Sequence, residues 1–255
     1  MKHRPIADRK PETEFFRDML VGRTDARILL VQAASGWGKS DLLECFAHEC
    51  AGGVCLVSLD LKGAEKGIAE VFSVFRQELG ADGLPRFNVA LTRLAPSVNI
   101  ASNTALAGKM DISVALNVDD QTRKFNLEQL EDAFFDDLGA ACEKIVVIFD
   151  TFEKAPPELQ NWLGSAFLRH IARLPNIRVV IGGQSVPEHS IEKWEAMCER
   201  RELREIDDVD EWHAYVQETH LPFPRDAVKA IVLQGRGHPR TIIDTFAALA
   251  PRWGV

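Results

Sequence analysis

Residues 28–49, ILLVQAASGWGKSDLLECFAHE, join a buried-strand run to an amphipathic helix through a turn that carries two glycines. A strand that leads straight into a helix belongs to a parallel sheet, because parallel neighbours need a crossover and a helix supplies it. The same unit recurs along the chain. VCLVSLDL is a second strand, and Ile68, Val71, Phe72 and Phe75 follow it at helical spacing. IVVIFD, NIRVVIGG and the short ELREI are three further strand candidates, and between the first two Leu159, Leu163, Phe167 and Ile171 share one helical face. A short helix, PETEFFRDML, precedes the first strand. The alternation predicts an α/β fold of three layers, with a parallel sheet covered by helices on both sides.

Two segments leave this rhythm. In residues 85–124, Val98, Ile100, Ile112, Val114, Leu116 and Val118 alternate with small or polar residues around Gly108, a pattern that suits a half-exposed hairpin inserted into the core. The helical pattern resumes at Asn126, a capping residue with Gln129 three positions on and Leu127, Leu130, Phe134 and Leu138 facing inward. After about residue 206 the strands stop, and DDVDEWHAYVQET, PRDAVKAIVLQG and HPRTIIDTFAALA read as three helices. The expected division is a core over 1–206 and a small helical subdomain over 207–255.

Composition narrows the partners. A net charge of -8 and a pI near 5.4 argue against general attraction to nucleic acid or an anionic membrane. No run reaches the roughly 18 apolar residues of a membrane span, and MKHRPIADRK has no apolar signal stretch, so a cytoplasmic protein is expected. Five cysteines, at 45, 50, 55, 142 and 198, make no disulfide framework for so large a chain and contain no CxxC pair for a metal.

The turn AASGWGKS carries the chemistry. An anion is cradled when backbone N–H groups converge at a helix N-terminus after a tight turn, and Gly36 and Gly38 permit that turn. Ala34, Ser35 and Trp37 complete the loop, and Asp41 follows it. In the GxxxxGK[ST] pattern Lys39 reaches the β- and γ-phosphates and Ser40 binds magnesium; only Ala33 departs from that pattern, where a glycine is expected at the strand end. IVVIFDTFE ends a buried strand in Asp150, placed to hold a magnesium shell, with Glu153 three residues on to orient or deprotonate water. Gln184, after IRVVIGG, is placed to sense a terminal phosphate or simply to close a strand.

With these residues in place the chain resembles the AAA+ and signal-transduction (STAND) branches of the P-loop NTPases, from about residue 8 to 250. DRKPETEFFRDML is similar to their entry box, which implies that Arg9 lies near adenine. FDTFE is similar to the STAND form of the second motif, and GRGHPRTI to the glycine-hydrophobe-proline motif of the lid, which implies that Pro239 and His238 pack against nucleotide. The resemblance implies a P-loop NTPase core, the hairpin-like insertion and a C-terminal helical lid in one ATPase module, with ATP or ADP and Mg2+ as cofactors. Gln184 stands where STAND proteins usually carry arginine, and Arg200, Arg201 and Arg204 are either an arginine finger or ordinary surface charges.

The leading expectation is a slow ATPase acting as a nucleotide-controlled switch in a signalling or defence-type assembly, through self-association or a protein partner. The alternatives are a regulatory module that binds nucleotide without hydrolysis, and an AAA+ helper of a DNA transaction, which the acidic composition disfavours. ATP is expected over GTP because no NKxD-type segment is present.

Overall fold

The computed structural model describes residues 6–50, 52–63, 67–95, 112–188 and 193–253. Its strands are β1 (Ile28–Gln32), β2 (Cys55–Asp60), β3 (Ile145–Asp150), β4 (Ile177–Gly183) and β5 (Cys198–Glu202). All pair in parallel, in the order β2-β3-β4-β1-β5. Alternate residues feed opposite layers, as a period of two requires. Ile28, Leu30, Val147 and Val179 face one cluster, and Leu29, Val31, Val146 and Val180 face the other, all buried.

The first face is covered by α3 (Ile68–Leu79), α4 (Pro85–Leu94), α5 (Asp120–Ala141) and a rod in which α6 (Pro157–Trp162) passes through a π turn (Leu163–Phe167) into α7 (Leu168–Ile171). Phe72 and Phe134 meet there edge to face at 4.8 Å, which anchors α3 to α5. The second face is covered by α1 (Lys10–Val21) and α2 (Lys39–Glu49). The last carbonyls of α1 accept from cations on the sheet: Met19 from Arg178 Nε at 2.8 Å and Leu20 from Lys144 Nζ at 2.6 Å. These bonds satisfy orphan helix acceptors and place positive charge at the negative end of the helix dipole.

Three helices follow the sheet, α8 (Val209–Glu218), α9 (Arg225–Gly235) and α10 (Pro239–Trp253). They enclose their own core of Trp212, Val216, Val228, Ile242 and Phe246, into which Ile206 and Ala7 also pack. The helical reading of this tail is thus met.

Four expectations are corrected. The described part of the insertion is helical, not a hairpin: α4 spans Pro85–Leu94, and residues 112–116 form a further helical turn. Val98, Ile100 and Gly108 lie outside the described residues. Ile112, Ala115 and Leu116 are buried while Val114 is exposed, so the alternation was helical spacing sampled over too short a run. Second, α5 begins six residues before Asn126, capped by Asp119, whose side chain accepts the Thr122 N–H. Asn126 lies buried inside the helix and donates to the Ala115 carbonyl at 2.6 Å. Third, the last strand is CERRE rather than ELREI, because an edge strand needs ladder bonds to β1 more than two apolar faces.

Fourth, Cys55 and Cys142 are joined in a disulfide that links the start of β2 to the end of α5, across 87 positions of sequence. Cys45, Cys50 and Cys198 are free, and burial raises the thiol pKa of Cys198 to about 12 and that of Cys50 to about 11. Closing so long a loop is worth up to ~4 kcal/mol in the chain-entropy account. Cys142→Ser is therefore expected to lower the unfolding free energy by roughly 2–4 kcal/mol under non-reducing conditions, measured by denaturant melting, and to have no effect once dithiothreitol is present.

Candidate functional site

The strand order decides which loops meet. β1 lies between β4 and β5, and β3 lies on the far side of β4, so the segments that leave the carboxyl ends of β1, β4 and β3 emerge side by side. The loop after β1 takes left-handed backbone at Gly36 (φ 84°) and Gly38 (φ 80°), and Gly38 precedes the first residue of α2 with no side-chain cap. The orphan N–H groups of the first turn therefore remain for a ligand. Ala33 is buried, is not among the positive-φ residues, and donates its N–H to the Gly183 carbonyl at 3.1 Å. It continues the sheet, which explains why alanine serves there.

Lys39 Nζ folds back over this loop, donating to the carbonyls of Ala33 at 2.6 Å and Ala34 at 2.9 Å. Burial pulls its pKa below the ordinary lysine value, against the raising effect of Glu153 and Asp150. A half-buried ammonium whose neighbours are neutral carbonyls gains from an anion brought beside it.

Asp150 ends β3, and its Oδ1 accepts the Thr151 N–H at 2.7 Å. Thr151 is left-handed (φ 60°), which turns the chain sharply into the one-turn helix Phe152–Lys154. That turn brings Glu153 Oε2 within 2.8 Å of the Gln184 N–H, so the end of β4 holds the carboxylate in place. Gly183 permits the approach, since a Cβ there would lie 2.2 Å from the Ser185 carbonyl and 3.0 Å from Glu153 Oε2.

The helical tail closes the other side. The Arg240 N–H, in the first turn of α10, donates to the Gly36 carbonyl at 3.1 Å. His238 lies over Gly36, where a Cβ would come within 2.8 Å of its Cε1, and its ring meets Trp37 edge-on at 5.2 Å. Its Nδ1 accepts from the Thr241 N–H at 3.3 Å and lies 3.0 Å from the Thr241 hydroxyl, so His238 also caps α10.

Between these parts lies a cleft of about 770 Å³, lined by Ser35, Gly36, Gly38, Lys39, Ser40, Asp41, Asp150, Glu153, Gln184 and Pro239 among the residues expected from sequence. Its size suits a nucleotide-sized ligand. A narrower, mainly apolar slot adjoins it, lined by Arg9, Trp37, Trp212 and Tyr215 and sharing Gly38, Asp41, Pro239 and Ile243 with the cleft. Arg9 is 5% exposed and clamps two segments, donating to the carbonyls of Trp37 at 3.2 Å and Arg204 at 2.8 Å. Burial lowers its pKa from the usual guanidinium value, partly offset by Glu12 and Asp8.

Several lining residues escaped the sequence reading. Asp60 ends β2 directly opposite Asp150, and Lys62, Lys154, Arg240 and Asp244 also line the cleft. The signal for Asp60 was present, because VCLVSLD closes an apolar run with an acid as IVVIFD does. Of the arginines considered as fingers, Arg200 bonds Glu195 and the Pro187 carbonyl beside the Trp194 ring, and Arg201 pairs with Glu199 over the Phe15 ring. None of Arg200, Arg201 and Arg204 lines the cleft.

The fold is that of a P-loop NTPase. It is similar to the solved structure of a Walker-type ATPase of Pyrococcus abyssi, with a TM-score of 0.56 and 17% identity over 100% of this chain and 71% of that one. The Aeropyrum pernix ORC1 protein in complex with DNA gives a TM-score of 0.48 and 13% identity, over 98% of this chain and 62% of that one. No protein-family model and no curated protein matches the chain.

Gly36 is where loop and tail touch, so adding a methyl there strains the left-handed turn and pushes His238 away. Gly36→Ala is expected to cost about 1 kcal/mol or more in stability and to speed hydrogen exchange in the first turn of α10. Gly22→Ala, at an equally left-handed glycine with nothing within 4 Å of the added Cβ, should lose stability without altering exchange in α10.

Proposed function

We propose that the protein binds Mg-ATP in this cleft and hydrolyses it slowly, with the helical lid (residues 207–255) as the part that responds. The observation that carries the reading is the meeting of Lys39, Ser40, Asp150 and Glu153 at one cleft that begins at an uncapped helix N-terminus. Backbone N–H groups of residues 36–40 cradle the phosphates, and Lys39 leaves the carbonyls of Ala33 and Ala34 for the β- and γ-oxygens. The donor set fits a hard cation, since Ser40 and Asp150 offer oxygen ligands beside the phosphate position. When bound, magnesium would neutralise phosphate charge and polarise the terminal phosphoryl group.

Glu153 takes the role of orienting and deprotonating the attacking water, held by the Gln184 N–H. Gln184 presents its side chain to the terminal phosphate as a neutral polar contact, in keeping with slow turnover. The adenine lies where the cleft meets the apolar slot, beside Trp37 and the wall that Arg9 fixes. Pro239 closes over the nucleotide from the lid, His238 packs on the loop at Gly36 and Trp37, and Asp41 stands where cleft and slot join.

Switching follows from the lid's seat. The Arg240-to-Gly36 bond and the contacts of His238 with Gly36 and Trp37 rest the lid on the very loop that holds phosphate. A ligand that reshapes the loop therefore changes the lid's resting place, which gives differential affinity for two lid positions. This supports a nucleotide-controlled switch of the STAND type, acting through self-association or a protein partner. A second reading, binding without hydrolysis, is favoured by the Glu153 carboxylate oxygen that already accepts from Gln184.

Two variants separate these readings. Lys39→Ala should weaken ATP binding by about tenfold or more, measured by calorimetry, and equal binding by variant and wild type would remove the site assignment. Glu153→Gln should keep ATP binding and reduce phosphate release by about a hundredfold. Wild-type release no faster than that of the variant would favour the non-hydrolysing module.

A further inference from the structure

The geometry points to Lys62 and Lys154 as sources, within the same chain and beside Lys39, of the positive charge that the terminal phosphoryl group of ATP meets during transfer to water. This inference rests on the hydrolytic reading above and extends it: turnover should not need a cation from a second copy.

Among the described residues four cationic side chains line the cleft, Lys39, Lys62, Lys154 and Arg240. Lys39 serves the β- and γ-oxygens in the reading above, and Arg240 faces Asp244 across one turn of α10 at 3.7 Å. The ammonium groups of Lys62 and Lys154 have no ion pair or hydrogen bond among the described residues, although each is rooted on fixed backbone. The Lys62 N–H donates to Asp60 Oδ1 at 3.0 Å, just past the end of β2. The Lys154 N–H donates to the Thr151 carbonyl at 2.9 Å, in the one-turn helix that carries Glu153. Asp60 and Asp150 are paired across β2 and β3, so the two lysines leave neighbouring strands at the same end of the sheet.

Charge and position support the same role. Among the described residues the cleft's acids are Asp41, Asp60, Asp150, Glu153 and Asp244, one more than its cations. A triphosphate adds more negative charge, and unpaired ammonium groups gain most from it. The arginines of β5 are held elsewhere, Arg200 by Glu195 and Arg201 by Glu199. In the transfer, a water oxygen bonds to the γ-phosphorus and the bond from that phosphorus to the bridging oxygen breaks. The electron pair stays on the β-phosphate of ADP, and the water's proton passes to Glu153. The two ammonium groups offset the charge spread over the γ-oxygens, which is where a finger acts in related chemistry.

The test is single-turnover ATP hydrolysis by the full chain over a range of protein concentrations, with ADP affinity measured alongside. Wild type should show one rate constant at every concentration. Lys62→Ala and Lys154→Ala should each slow hydrolysis by roughly tenfold or more, the pair should slow it further, and ADP affinity should stay within about twofold. Lys154→Arg should recover most of the rate lost in Lys154→Ala. A double variant that hydrolyses at the wild-type rate would overturn the inference, as would a wild-type rate constant that climbs with protein concentration. Wild type that binds ATP and hydrolyses none overturns this inference and leaves the binding site standing, whereas wild type that binds no ATP overturns both.

Discussion

The carbonyl of Gly36 accepts a hydrogen bond from the first turn of the last helix, and this contact joins the two halves of the cleft. It depends on a residue with no side chain. His238 occupies the space a Cβ would need, and the left-handed backbone of Gly36 turns the carbonyl toward Arg240. The same turn sets the N–H groups of the loop around the start of α2. The turn of the loop and the seat of the helical tail are therefore two aspects of one backbone conformation. The loop and the helical tail are thus in direct contact.

The parallel sheet brings the remaining chemistry to this point. Because β4 lies between β1 and β3, its end can bond both neighbours: Gly183 accepts from Ala33, and Gln184 donates to Glu153. Register over the strands thus becomes position at the site. An acid three residues past a strand would otherwise have many orientations. Here the left-handed Thr151 and the side-chain-free Gly183 leave it one.

Much of this was legible in the sequence, for physical reasons that differ by element. β1, β3 and β4 are buried on both faces, so their continuous apolar runs could be read as parallel strands. The turn was legible because AASGWGKS places Gly36 and Gly38 where the left-handed backbone leading into α2 needs them. β5 was misplaced by a few residues, since an edge strand of Cys-Glu-Arg-Arg-Glu carries no apolar signature. The helical turn at 112–116 was mistaken for a strand because five residues cannot distinguish one period from another. The Cys55–Cys142 pair depends on two elements 87 positions apart meeting at one end of the sheet, which no local pattern reveals. At the site, Lys62 and Lys154 carry no motif; only the cleft's shape gathers them.

The leading segment of the chain belongs to two bodies. Ala7 is buried among the helices of the tail, while Phe16 and Met19, less than four turns of helix further on, are buried against the sheet. Between them Arg9 grips the carbonyls of Trp37 and Arg204, and Lys10 pairs with Glu211 of α8. The described part of this segment is therefore a strap between the helical tail and the sheet. The base of α1 is thus linked to the start of the tail and, through the Trp37 carbonyl, to the loop after β1. Whatever grasps or shields the strap from outside would hold both the lid and the loop.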